Sequence, residues 1–493
     1  MPLIPLDIPA GIYRNGTDFQ SNGRWRDANL VRWVDNTMRP MGGWRTRSSN
    51  AANAQIRGMK TWVTNNNLRF IAGGTYNKLY AWNETGVRYD ITPTSFTAGR
   101  ADAVAFTGFG GGLYGGYAYG IARPDTVRIQ PATSWALDTW GEYLVGCTED
   151  DGKLYEWQLN TSNPAAVIAN APTDNRSMVV TEERFLFALG AGGNPRKVQW
   201  CDRENNTTWT PAATNEAGDL ELNTSGQIMK GVKVRGQTLI LTSTDAHAAN
   251  YIGPPYVYGI ERVGTSCGLA ANEAVAVVDA GAFWMGPHAF YSYTGSLVQE
   301  LPSDVADHVF NDMNRAQISK AFAVTNSNYG EIFWFYPSAE ATENDRYCVY
   351  NYIENTWYIG SLPRTAGVDR GAFRSPIWAD ASNYKIYEHD IGFDYGTLSP
   401  FVESGPIVIG SGDTVVSVTE MIPDEKTQGD VNVTFKTRFY PNGTERDYGP
   451  FNMSTPTSMR FTGRQFRMRI NAVSLGDWRV GVNRLDIVSG GRR

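Results

Sequence analysis

Between residues 55 and 400 the chain alternates short apolar runs with Gly, Asn and Asp turns, and the run after a turn several times opens on a lysine. The pattern is sharpest in Lys78-Leu79-Tyr80-Ala81-Trp82 and Lys153-Leu154-Tyr155-Glu156-Trp157, and looser in Lys385-Ile386-Tyr387-Glu388-His389. Two apolar runs joined by a tight turn read as a β-hairpin, and a hairpin that recurs along a chain marks an array of similar units. Seven such pairs stand out: 68–72 with 78–82, 143–147 with 153–157, 185–189 with 197–200, 238–242 with 249–252, 282–285 with 289–293, 331–335 with 347–352 and 376–379 with 385–388. Their spacing is uneven but centres near a blade length, which predicts an all-β fold built on a β-propeller of six to eight irregular blades.

Two insertions interrupt the hairpins. Pro302 precedes Ser303-Asp304-Val305-Ala306-Asp307-His308-Val309-Phe310-Asn311-Asp312-Met313. Ser303 suits an N-cap, acids fill the first turn, and Val305, Val309 and Met313 recur at helical spacing, so a helix across the outside of a sheet is expected here. The stretch 108–120 is rich in Gly and Tyr but has no Lys followed by Ser or Thr, so it reads as a packed or contact-making loop rather than a phosphate cradle.

The ends differ from the middle. Residues 1–54 form an N-terminal arm with first strands, in which Arg14, Arg24, Arg26, Arg32, Arg39, Arg45 and Arg47 are interleaved with Trp25, Trp33 and Trp44. One reading is a segment lying along the propeller; the sharper one is an arm docked on a neighbouring subunit, because Trp and Arg are favoured interface anchors. Residues 55–400 make the propeller. Residues 401–493 alternate over Thr414–Thr419 and Val431–Phe439, turn at Pro441-Asn442-Gly443-Thr444 and read as a small sandwich-like β domain. Arg464, Arg467 and Arg469 lie in its basic stretch, where one strand face either meets an acidic partner or is solvated.

Composition agrees with short strands and turns: aromatics are 12%, charged residues only 19%, and there are 51 glycines. A net charge of −6 excludes a general nucleic-acid binder that works by phosphate neutralisation. Cys147, Cys201, Cys267 and Cys348 are far apart, with no CxxC pair, and are expected reduced and mostly buried. The N-terminus lacks the basic and apolar regions of a signal peptide and no run is long enough to span a bilayer, so a soluble protein without a membrane anchor, made in a cytoplasm, is expected. His247, His288, His308 and His389 fall in separate repeats, and no metal, cofactor or catalytic set is expected from them. Gly264-Thr265-Ser266-Cys267-Gly268 matches a nucleophile turn in letters, but a strand-like run follows it where an elbow would open a helix. Thr148-x-Asp150-x-Gly152-x-x-Tyr155 fits an Asp-box hairpin, whose acid would bond backbone amides.

Tyr13-Arg14-Asn15-Gly16-Thr17-Asp18-Phe19, Gly23-Arg24-Trp25, Leu30-Val31-Arg32-Trp33 and Arg39-Pro40-Met41-Gly42-Gly43-Trp44, with the loop at 108–120, Phe283-Trp284-Met285-Gly286, Gly463-Arg464-Gln465 and Asp477-Trp478-Arg479-Val480-Gly481, resemble the tail nozzle or hub family of short-tailed bacteriophages, also called packaged-DNA stabilization proteins. The resemblance covers both ends and the middle. It implies a non-enzymatic virion tail protein forming a homo-hexameric ring below the portal and its adaptor (the head-to-tail connector), through which double-stranded DNA leaves, alongside other tail proteins such as a needle, fibre or spike. Under it, Arg24, Trp25, Arg32, Trp33, Tyr114, Tyr117, Arg464, Arg467 and Arg469 become candidate subunit contacts. A propeller glycosidase or a receptor-binding tail protein acting on host surface glycans is the alternative.

Overall fold

The computed structural model describes residues 3–108, 119–120, 123–409, 414–441 and 443–491. Seven four-stranded antiparallel sheets follow one another, built on residues 59–90, 135–167, 177–221, 228–265, 275–301, 322–361 and 364–389. The first strand of each packs against the first strand of the next, and the seventh sheet returns to the first, so the ring closes. These seven sheets form a seven-bladed β-propeller. Each of the seven expected hairpins is the second and third strand of one blade.

These strands have a neighbouring blade on both faces, which is why their sequences are apolar runs rather than alternating ones. In blade 1, Leu79, Tyr80, Ala81 and Trp82 are all buried, while Lys78 sits at the strand start and reaches Asp90 at 2.9 Å. Tryptophans fasten blade to blade: the Trp135 indole donates to the Thr75 carbonyl (2.8 Å), Trp62 to Glu142 (3.0 Å) and Trp334 to Ala274 (3.2 Å).

Blade 7 has only three consecutive strands. Its fourth is Trp44–Thr46, with Arg45 opposite Glu388 and Trp44 opposite His389. Residues 401–489 form two further sheets packed face to face through Phe435, Phe461 and Phe466, and both are completed by the N-terminal segment. Leu3–Leu6 pairs with Asn483–Ser489 at the edge of one sheet, and Trp25–Asn29 pairs with Phe401–Ser404 at the edge of the other. The hairpin of Val31–Val34 and Thr37–Pro40 bridges to Val480 through Met38. The first fifty residues therefore run through the sandwich, then the junction, then the propeller. They are not an arm set apart from the rest of the chain.

The expected helix forms as Ala306–Asp312, with Val305 rather than Ser303 at the N-cap position. Ser303 contributes two residues earlier, its hydroxyl accepting the Val305 amide at 3.3 Å. Val305, Val309, Phe310 and Met313 are buried, and Phe310 packs on Phe290 of blade 5. Among the described residues no helix is long and apolar enough to cross a membrane.

Candidate functional site

The candidate contact residues separate into three groups. Trp25, Arg32 and Trp33 are enclosed by their own chain, so the expectation that they anchor a neighbouring subunit is corrected. Trp33, 1% exposed, packs between Trp25 and Tyr358. Arg32 holds Glu331 through Nε and Nη2 at 2.9 Å and Asp390 through Nη1 at 2.9 Å. The same two acids accept from Tyr358 (2.9 Å) and Asn326 (2.9 Å), and the guanidinium lies 3.8 Å over the Tyr329 ring. Burial opposes the Arg32 charge but Glu331 and Asp390 outweigh it and raise its pKa, whereas burial pushes the Glu331 carboxyl up. One arginine of the N-terminal hairpin thus ties blade 6 to the segment leaving blade 7.

The second group lies on the sandwich. Gln465–Ala472 turns Phe466, Met468 and Ile470 into the core and Arg467 and Arg469 onto the other face. That face is met by this chain's own acids: Glu403 accepts from Lys436 (2.8 Å), Arg469 (3.1 Å) and Arg467 (3.4 Å), and Asp18 lies between Arg438, Arg467 and Arg26. Burial works against the Asp18 charge, but the Arg438 hydrogen bond and the Arg467 and Arg26 charges hold its carboxyl below the usual range. Arg24 is partly exposed and reaches Asp304 at 3.3 Å, and Arg464 lies over the Tyr440 ring at 5.4 Å. Tyr114 and Tyr117, the third group, fall outside the described residues.

The propeller axis carries a cluster that no motif announced. Lys60 of blade 1 and Lys233 of blade 4 reach the two oxygens of Asp138 of blade 2, at 2.8 and 3.2 Å. Burial disfavours the Asp138 charge, yet the lysines pull its pKa down to about 2. At the mouth of the axis, Lys230 pairs with Glu273, and Lys320 is enclosed by Asp102 (2.5 Å), Glu343 (2.7 Å) and the Thr342 carbonyl (2.6 Å). These residues come from separate inner strands and links, so only a known blade register could have brought them together on paper. Beside the mouth is a cleft of about 240 Å³ lined by Met229 and Ile318 with Arg176, Glu149 and Arg315.

The motifs are structural. Asp150 takes the Thr133 hydroxyl and Arg100, and Asp151 takes the Thr97 amide (2.9 Å) and the Tyr155 hydroxyl, so the Asp-box acids fasten the link between blades 1 and 2. The turn itself is closed by the Gly152 amide donating to the Thr148 carbonyl (2.9 Å) and the Asp151 amide to the Thr148 hydroxyl (3.4 Å). Gly264 to Gly268 leaves the antiparallel outer strand Val257–Thr265 and leads to the first strand of blade 5 with no helix between. All four cysteines are buried and unpaired, and burial pushes Cys267 up to about 11 and Cys201 to about 12. His389 is buried against Trp378 and accepts from Arg364 at 3.0 Å; Arg364 also holds Asp380 at 2.6 Å. Among the described residues no group of His, Cys, Asp or Glu is arranged to hold a metal ion.

Exposed apolar side chains are unevenly placed. Inner strands all run the same way around the ring, so the turns joining the first to second and third to fourth strands share one propeller face. That face presents Val63, Leu68 and Val87 of blade 1, Ile252 and Tyr256 of blade 4, Leu297 of blade 5 and Ile353 of blade 6. Tyr256 and Ile353 are 76% and 71% exposed.

No protein-family model and no curated protein matches the sequence. Similar solved structures include Raptor from Chaetomium thermophilum (9% identity, TM-score 0.42, covering 71% of this chain and 29% of that one). Another is virginiamycin B lyase from Staphylococcus aureus (8%, TM-score 0.42, 70% of this chain and 99% of that one). A third is the Neurospora crassa Pan2 WD40 domain (9%, TM-score 0.41, 70% and 95%).

Proposed function

We propose that this chain is a structural virion protein: a tail nozzle whose copies form a homo-hexameric ring below the portal and its adaptor, retaining packaged DNA and conducting it during ejection. The observation that carries this reading is the set of exposed apolar side chains at the turns of blades 1, 4, 5 and 6 on one propeller face. Exposed apolar side chains repeated on one face offer a contact surface, and a ring subunit needs such a face. The N-terminal segment, which pairs into both sandwich sheets and into blade 7, further supports it, since a wall element must hold propeller and sandwich as one block. In this reading the DNA path lies between copies, because Lys60, Asp138 and Lys233 bridge the axis of each propeller.

The test is light scattering of the purified chain alone and with its adaptor. A mass that is a multiple of the chain mass, reduced by Tyr256→Glu with Ile353→Glu, is the expected result; a monomer under both conditions contradicts it. The cleft beside the axis favours a second reading, a receptor-binding tail protein or glycosidase acting on host glycans, which saturable binding or turnover of surface polysaccharide would reveal.

A further inference from the structure

The seam where the N-terminal strand closes blade 7 against blade 1 contains an open cleft of about 480 Å³ with four arginines on its walls. Arg45 and Arg47 share one acid, Glu388, at 2.6 and 2.7 Å, and Arg69 pairs with Glu84 at 3.1 Å. Arg374, on the loop before the second strand of blade 7, lines the same cleft, is exposed and has no partner among the described residues. Two carboxylates thus face four guanidinium groups, leaving a local surplus of two positive charges. The surplus runs against its surroundings: residues 51–400 carry 36 Asp and Glu against 25 Lys and Arg. Arg47 is held 4.7 Å over the Phe373 ring, so its fork has a fixed orientation, while the Arg45 side chain, paired with Glu388, is 67% exposed and open to a ligand arriving from solvent.

We propose that this cleft is a binding site for a ligand carrying two or more phosphate groups. Guanidinium forks match phosphate oxygens in pairs, and several converging on one cleft outmatch any single surface arginine. The volume is in the range of built ligand sites and exceeds what one phosphate fills. Walls from the N-terminal strand, blade 7 and blade 1 mean that a bound polyphosphate would clamp the closure, raising stability through mass action. This site does not rest on the ring reading and stands if the chain proves monomeric.

The test uses the full chain with two probes, inorganic tripolyphosphate and a short oligothymidylate, followed by calorimetry and by the thermal midpoint at low and high salt. Saturable binding of either probe, a raised midpoint and weakening with salt are expected. Arg374→Ala, which removes a side chain without partners and leaves the closure intact, is expected to weaken binding roughly tenfold or more, and Arg374→Lys to restore only part of it. The sandwich variant Arg460→Ala is expected to bind as the parent does. Preference for the oligothymidylate assigns the site to a phosphodiester chain, and preference for tripolyphosphate to a free polyphosphate. Absence of saturable binding by both probes, or equal binding by Arg374→Ala, overturns the proposal.

Discussion

Arg32 shows what a buried charge does in this chain. It satisfies Glu331 and Asp390 together, and truncating it leaves both acids enclosed without their cation. Arg32→Met is expected to lower unfolding free energy by about 3–5 kcal/mol in denaturant titration, with a smaller cost when Glu331→Gln and Asp390→Asn are added. Gly74 is set by contact: a Cβ there would lie 2.1 Å from the Trp135 ring, so Gly74→Ala forces the indole off the blade 1 to blade 2 seam. A loss of about 1–3 kcal/mol is expected, and unchanged stability would refute that packing account. His389 sets an acid limit. Burial first and the neighbouring Arg364 second hold it well below the ordinary value of 6.5, so the unfolded chain takes up a proton that the folded chain refuses. Stability should therefore fall as pH drops below about 6.5, by about 1.4 kcal/mol per pH unit for this group. His389→Gln, which keeps an acceptor for Arg364, is expected to flatten that slope between pH 7 and 5.5; an identical slope would rule the residue out. Asp138 acts in a lower window, its stabilisation being present above about pH 4 and lost toward pH 2.

The N-terminal segment supplies an edge strand to three sheets that the rest of the chain finishes only near its end. Leu3–Leu6 waits for Asn483–Ser489, Trp25–Asn29 for Phe401–Ser404 and Trp44–Thr46 for Ile386–His389. Deleting residues 1–47 is expected to leave blade 7 three-stranded and both sandwich sheets short, seen as dye-binding apolar surface and an early unfolding step. A peptide of residues 1–47 added in trans is expected to reverse both, and a deletion variant that melts like the parent would contradict the stitching role. The propeller hairpins could be read from the sequence because enclosure on both faces writes continuous apolar runs beside Gly and Asn turns. The closing strands could not, because their pairing partners are hundreds of residues away and three to five residues carry little pattern. For the same reason Trp25, Arg32 and Trp33 had the composition of interface anchors without any sign that their partner was their own chain. The axial Asp138 cluster stayed hidden because its members become neighbours only when the blade register is known.

At the scale of the molecule, a propeller and a sandwich are joined by the N-terminal segment that pairs into both, and the face carrying Tyr256, Ile353, Leu297 and Leu68 is the one the proposed ring would bury. Turning that face polar is expected to change assembly and leave the fold intact. Tyr256→Glu with Ile353→Glu should keep the parent's circular dichroism and an unfolding free energy within about 1 kcal/mol of the parent's while losing its assembled mass, since exposed substitutions rarely disturb a core. Loss of folding together with assembly would place these residues in the core instead. The most direct measurement is a cryo-electron microscopy map of the purified chain with its adaptor. The account predicts closed six-fold rings in which the apolar turn face is buried between neighbouring subunits and the central opening lies between copies. A map of separate monomers with that face in solvent would contradict it.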